Sequence, residues 1–130
     1  MKTAAAPTSI AAVAEELVAL CRAGRNMDAI NAFYSPKIVS IESGPGSKEM
    51  PATMTGIDAI RKKNEWWLEN HEVHSADADG PFVGEDKFAV RWDYDITMKA
   101  NGQRVRMEEM ALYTVENGKI VKEQFFYSMG

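Results

Sequence analysis

Three alternating segments joined by two Asn-Gly turns dominate the C-terminal third of the chain. "DKFAVRWDYDITMK" (86–99), "RVRMEEMALYTV" (104–115) and "IVKEQFFYS" (120–128) are separated by "ANGQ" and "ENGK". Asn-Gly supplies the positive φ that a tight hairpin needs, so the three segments predict a continuous antiparallel meander. In the first segment Phe88, Val90, Trp92, Tyr94, Ile96 and Met98 share one face, and Ala89, Arg91, Asp93, Asp95 and Thr97 share the other. A sheet this amphipathic must have one face covered.

The cover lies upstream. Ile10, Val13, Ala14, Leu17, Leu20 and Cys21 recur at helical spacing, with Ser9 placed to cap and Gly24 to close. A shorter helix follows, capped by Asn26, with Ile30, Phe33 and Tyr34 as its apolar contacts and Pro36 at its end. "KIVSIES" reads as a strand and "GPGSKEMPA" as a loop. "TGID" has the form of a capping box, and Ile57, Ile60, Asn64, Trp67 and Leu68 line one side of the helix it opens, which should end near His71. "EVHSADADGPFV" is the first, least regular strand of a four-strand meander. Helices early and strands late make an α+β fold. The expected architecture is a cone-shaped, curved antiparallel sheet covered by three N-terminal helices. A cavity between the two layers is a natural small-molecule site.

Residues 9–130 are expected to form one domain, with residues 1–8 as a disordered tail and no secretory signal. A net charge of −4 argues against a nucleic-acid partner. No apolar run reaches the ~20 residues of a membrane span. Cys21 is the one cysteine, which fits a reducing cytoplasm, and no Cys/His metal spacing occurs; neither metal nor cofactor is expected.

The adjacent acids Glu108 and Glu109 pose the functional question. Neighbours on a strand face opposite ways, so one must point inward. Val105, Met107, Glu109, Ala111, Tyr113 and Val115 form the more apolar set and are assigned inward. Arg104, Arg106 and Glu108 then lie outside, where the arginines can pair with Asp93 and Asp95, and Glu108 with Arg106 or Arg91. By the same ruler Val121, Glu123, Phe125 and Tyr127 point in, and Ile120, Lys122, Gln124 and Phe126 point out. Glu42 is a third candidate inward acid, while Trp67, Trp92, Tyr94, Tyr113 and Tyr127 supply aromatic walls. A carboxylate among aromatics has its pKa raised and can serve as a general acid or base, or can simply pair with Arg61, Lys62 or a tyrosine hydroxyl. His71 and His74 read as rim or surface residues, and Trp66 as a cap on the cavity mouth or a subunit contact.

The stretches "DAINAFYSPKIVSIE", "TGIDAIRKKNEWW" and "NGQRVRMEEMALYTVENGKIVKEQFFYS" resemble the nuclear transport factor 2-like superfamily, in its SnoaL-like and ketosteroid-isomerase-like branch, from about Ser9 to Ser128. The resemblance implies an α+β roll that hosts isomerases, cyclases, dehydratases, hydrolases and non-catalytic binding domains. It implies a base at Glu42, a supporting tyrosine at Tyr34 and a pocket aromatic at Tyr127. It places the steroid isomerases' two oxyanion donors at Val18 and Ala111, which cannot donate; Tyr94, Tyr113 or a protonated Glu109 would have to serve instead. It also implies a homodimer through the outer sheet face, near Arg91, Gln124 and Phe126. Three readings follow. One is a cofactor-free acid–base enzyme acting on a small, largely apolar molecule. The others are a binding domain with the same cavity and a protein whose sheet serves assembly.

Overall fold

Six strands form one sheet in the order β2-β1-β6-β5-β4-β3, with three helices against its concave face. The computed structural model describes residues 9–127; the expected tail at 1–8 and Ser128 of the last expected strand lie outside the described residues. In chain order the elements are α1 (Ile10–Arg22), α2 (Asn26–Phe33), β1 (Tyr34–Gly46), β2 (Pro51–Thr55), α3 (Ile57–Asn70), β3 (His71–Val83), β4 (Lys87–Met98), β5 (Gln103–Glu116) and β6 (Lys119–Phe126).

The meander β3-β4-β5-β6 is antiparallel throughout, and β1 adds to its β6 edge in parallel. Bulges interrupt the register in β1, β3 and between β5 and β6. Each extra residue bends its strand and tightens the local twist, which is how the sheet curls around the helices. Packed between the layers are Val13, Leu17, Ile38, Ile60, Phe88, Val90 and Trp92, all essentially inaccessible.

Ser9 caps α1 through its hydroxyl, which accepts from the Ala12 amide at 3.2 Å, and Gly24 follows the helix at φ 78°. Several local expectations change. Arg25, not Asn26, occupies the cap position of α2, and its side chain bonds Asp28 at 2.8 Å. That helix stops at Phe33, and Tyr34 opens β1 instead of closing α2. "TGID" makes no capping box: Thr55 ends β2 and Gly56, at φ 97°, holds the cap position without a side-chain bond. The expected loop "GPGSKEMPA" is largely a hairpin, with Gly46 opposite Pro51. A Cβ at Gly46 would come within 2.4 Å of the Ala52 nitrogen, so only glycine fits there. Leu68 is exposed on the outer side of α3.

One parity shift matters for the core. Lys122 pairs with Thr114, yet Ile120 pairs with Val115, so Val121 is the bulged residue. Ile120 therefore turns inward and is fully buried, whereas strict alternation had placed Val121 there. From Lys122 onward the expected alternation resumes: Glu123 is buried and Phe126 is exposed.

Candidate active site

The two neighbouring acids part as their strand requires. Glu109 lies opposite Trp92 and lines the cavity; Glu108 lies opposite Asp93 on the outer face and receives Arg91 at 2.7 Å. The outer face carries two further cross-strand pairs, Arg104–Asp95 at 2.9 Å and Arg106–Asp93 at 2.6 Å. These pairs agree with the register that keeps Glu109 inward; a one-residue slip would exchange the faces of every side chain on β5.

The cavity measures about 580 Å³ and lies between the helices and the concave sheet. Its deep end holds a hydrogen-bonded network. Glu123, from β6, accepts from the Tyr34 hydroxyl on one oxygen and from Ser40 Oγ at 2.7 Å on the other. Lys63, from α3, donates to Ser40 Oγ and to Glu42 Oε2, each at 2.7 Å, and its Nζ stands 4.0 Å from Glu123 Oε2. Tyr127 donates to the other oxygen of Glu42 at 2.8 Å. Both oxygens of Glu42 are thus engaged. Glu42, the base that the resemblance implies, lines the cavity and holds Lys63. Burial raises the pKa of Glu123, against the opposing pull of Lys63, Tyr34 and Ser40.

Glu109 differs from both. No hydrogen bond from a described residue stabilises its carboxylate, and burial, followed by repulsion from Glu42 and Glu123, pushes its carboxyl up to about 7; Lys63 offsets part of this. A carboxyl poised there can take or return a proton near neutrality. Tyr113, two residues along the same face, accepts from Trp92 Nε1 at 3.1 Å, leaving its own proton to donate. Tyr94 lines the same wall, and burial and the Glu109 charge both raise its hydroxyl's pKa. Both phenols therefore stay protonated and able to donate.

Tyr34, Asn64, Trp67, Trp92, Tyr94, Phe125 and Tyr127 all line the cavity as expected from their positions. Val18 and Ala111 do not. Both are buried in the packed core, and their short side chains are covered by neighbours before reaching the cavity. His71 moves the other way: it lines the cavity, stacked on Trp67 at 4.7 Å with Nδ1 2.8 Å from the Trp67 carbonyl. His74 stays outside it, bonded to Thr97 Oγ1 at 2.7 Å. Trp66 and Trp67 both reach the cavity, although Trp66 remains half exposed. The residue that sequence reasoning overlooked is Lys63. Its signal was the helical stripe itself, since a 3.6-residue period from Ile60 to Trp67 passes between positions 63 and 64. Burial raises the Cys21 thiol to about 12, which keeps it protonated and unreactive.

This architecture has known counterparts. The sequence matches the SnoaL-like domain family over residues 8–127, and the chain belongs to that family. Among solved structures, a Mesorhizobium loti protein described as a candidate SnoaL-like polyketide cyclase [carbohydrate phosphatase] is 43% identical, with a TM-score of 0.85 over 92% of this chain and 99% of that one. A candidate SnoaL-like polyketide cyclase from Jannaschia sp. is 15% identical, with a TM-score of 0.75 over 98% and 92% of the two chains. A Catenulispora acidiphila protein with a ketosteroid isomerase-like fold, solved with trimethylamine, is 18% identical, with a TM-score of 0.68 over 87% and 82%. The last two share the fold. No functionally curated protein matches the chain.

Proposed function

We propose that this SnoaL-like protein is a cofactor-independent acid–base enzyme of the isomerase, cyclase or dehydratase type, acting on a small molecule with a largely apolar body. The carrying observation is Glu109: a cavity-facing carboxyl without a hydrogen-bond partner among the described residues, held near pKa 7 beside protonated phenols. Glu109 removes a proton from an acidic C–H, Tyr94 or Tyr113 donates to the oxygen on which charge develops, and the apolar walls exclude water. Glu42 and Glu123 hold Lys63 and set the local field. The same hollow in a non-catalytic binding domain is the competing reading.

The test is solvent deuterium exchange, followed by NMR, into a panel of small enolisable ketones. The basic form of Glu109 does the abstraction, so exchange should rise as pH increases through about 7 and level off above it. Exchange no faster than buffer across the panel would leave the binding-domain reading in its place.

A homodimer through the outer sheet face is part of the same proposal. Phe126 and Met110 are register partners on β6 and β5, 47% and 41% exposed, and an apolar pair on an otherwise charged face supports a contact there. Phe126→Glu should convert the dimer to a monomer by light scattering; an unchanged mass would refute the interface. A reducing cytoplasm as the place of work is supported by Cys21, a free thiol. No helix among the described residues is long and apolar enough to cross a membrane.

A further inference from the structure

Three carboxylates line the cavity, Glu42, Glu109 and Glu123, against one ammonium, Lys63. The charge of Lys63 is already committed, at 2.7 Å to Glu42 and 4.0 Å to Glu123. Glu109 has no counter-ion of its own among the described residues. The walls around it carry aromatic rings, and the rings of Trp67 and Tyr94, 5.7 Å apart, continue into Trp92, stacked on Tyr94 at 6.0 Å. The cavity also displays how it treats a cation, because Lys63 Nζ sits 5.4 Å from the centroid of Phe125 while bonded to a carboxylate. Ring faces and an unpaired carboxylate are the two elements that bind an organic cation after it sheds water.

We infer that the cavity selects ligands bearing one positive charge on an otherwise apolar body, a protonated or quaternary amine, with Glu109 as the counter-charge. This rests on the acid–base reading for the importance of Glu109 and names the class of molecule that the site takes. A neutral ligand leaves the Glu109 charge buried and uncompensated, so it binds the ionised form more weakly than a cation of the same shape does. A cation compensates the charge and holds the carboxyl ionised. Glu109 faces Glu42 on β1, Glu123 on β6 and Lys63 on α3, with Tyr94 on β4 and Tyr127 after β6 also within its field. His71 lines the same cavity, so a Glu109→Gln control separates the carboxylate's part from the imidazole's.

Two probes of nearly equal shape test this: phenyltrimethylammonium and tert-butylbenzene, titrated against the fluorescence of the cavity tryptophans. At pH 8 the cation should bind at least roughly tenfold tighter than its neutral isostere. The preference should shrink at pH 5.5 and vanish at both pH values in Glu109→Gln. Equal or tighter binding of tert-butylbenzene at pH 8 would overturn the inference, as would a cation preference undiminished in Glu109→Gln. The acid–base reading fails separately. If tert-butylbenzene wins while Glu109 still titrates near 7, charge selectivity is lost and proton transfer stands. If the cation wins while Glu109 titrates near 4.5, the reverse holds.

Discussion

Glu109→Gln should make the protein both more stable and inactive. The native carboxyl is raised from 4.5 to about 7, so its folded pKa exceeds its unfolded one. A group shifted this way contributes stability that is fully present below about 4.5 and is lost as pH rises through 7. The rise corresponds to about 3 kcal/mol of strain carried by the ionised form at pH 8. Glutamine cannot ionise and does not carry it. Denaturant unfolding should therefore show the variant more stable than the native chain by ~2–3 kcal/mol at pH 8 and near parity at pH 4. Proton exchange into any substrate that the native protein accepts should meanwhile fall by ~10²–10⁴, the usual contribution of a positioned general base. A variant that is less stable at pH 8, or that keeps its exchange rate, would show Glu109 to be an ordinary structural acid.

Lys63→Met should have the opposite effect on stability. Lys63 bridges Glu42 and Glu123, and Glu123 is almost fully buried. Removing one partner of a buried ion pair costs ~3–5 kcal/mol because the other charge is stranded. Here Lys63 and Glu42 keep 17% and 28% of their side-chain exposure, so a loss of about 2–3 kcal/mol at pH 8 is expected. The deficit should narrow as pH falls, because burial raises the pKa of Glu123 and loss of Lys63 raises it further, so the stranded Glu123 carboxylate takes up a proton. Lys63 also holds the Glu109 carboxyl down, so the midpoint of the exchange profile should move above 7. Unaltered stability at pH 8 with an unmoved midpoint would mean that the network has no energetic hold on the site.

The two predictions differ in how far the sequence announced them. Glu109 was legible because strand alternation and two Asn-Gly turns leave little freedom on β5, and the outer arginines meet Asp93 and Asp95 only when Glu108 shares their face. Lys63 was hidden by its type: a lysine on a helix is ordinarily solvated, and only the tertiary approach of β1 and β6 turns it inward. Ile120 was misplaced because a single bulged residue reverses parity, and "KIVKE" carries no mark of where the bulge falls. The β1–β2 hairpin was hidden beneath glycines and prolines that read as loop, although Gly46 is there because backbone passes too close for a Cβ. Val18 and Ala111 were carried to the site by resemblance. Their side chains are packed into the core, and the cavity wall lies beyond them.

What sets this site apart from a packed acidic interior is the ionisation of one carboxyl. Selective ¹³C labelling of glutamate side chains, with Glu109→Gln to assign the resonance, reports it directly. A midpoint near 7 is expected for Glu109 in the ligand-free protein. A midpoint below about 5, close to the value of a free glutamate, would contradict it and remove the proposed proton carrier.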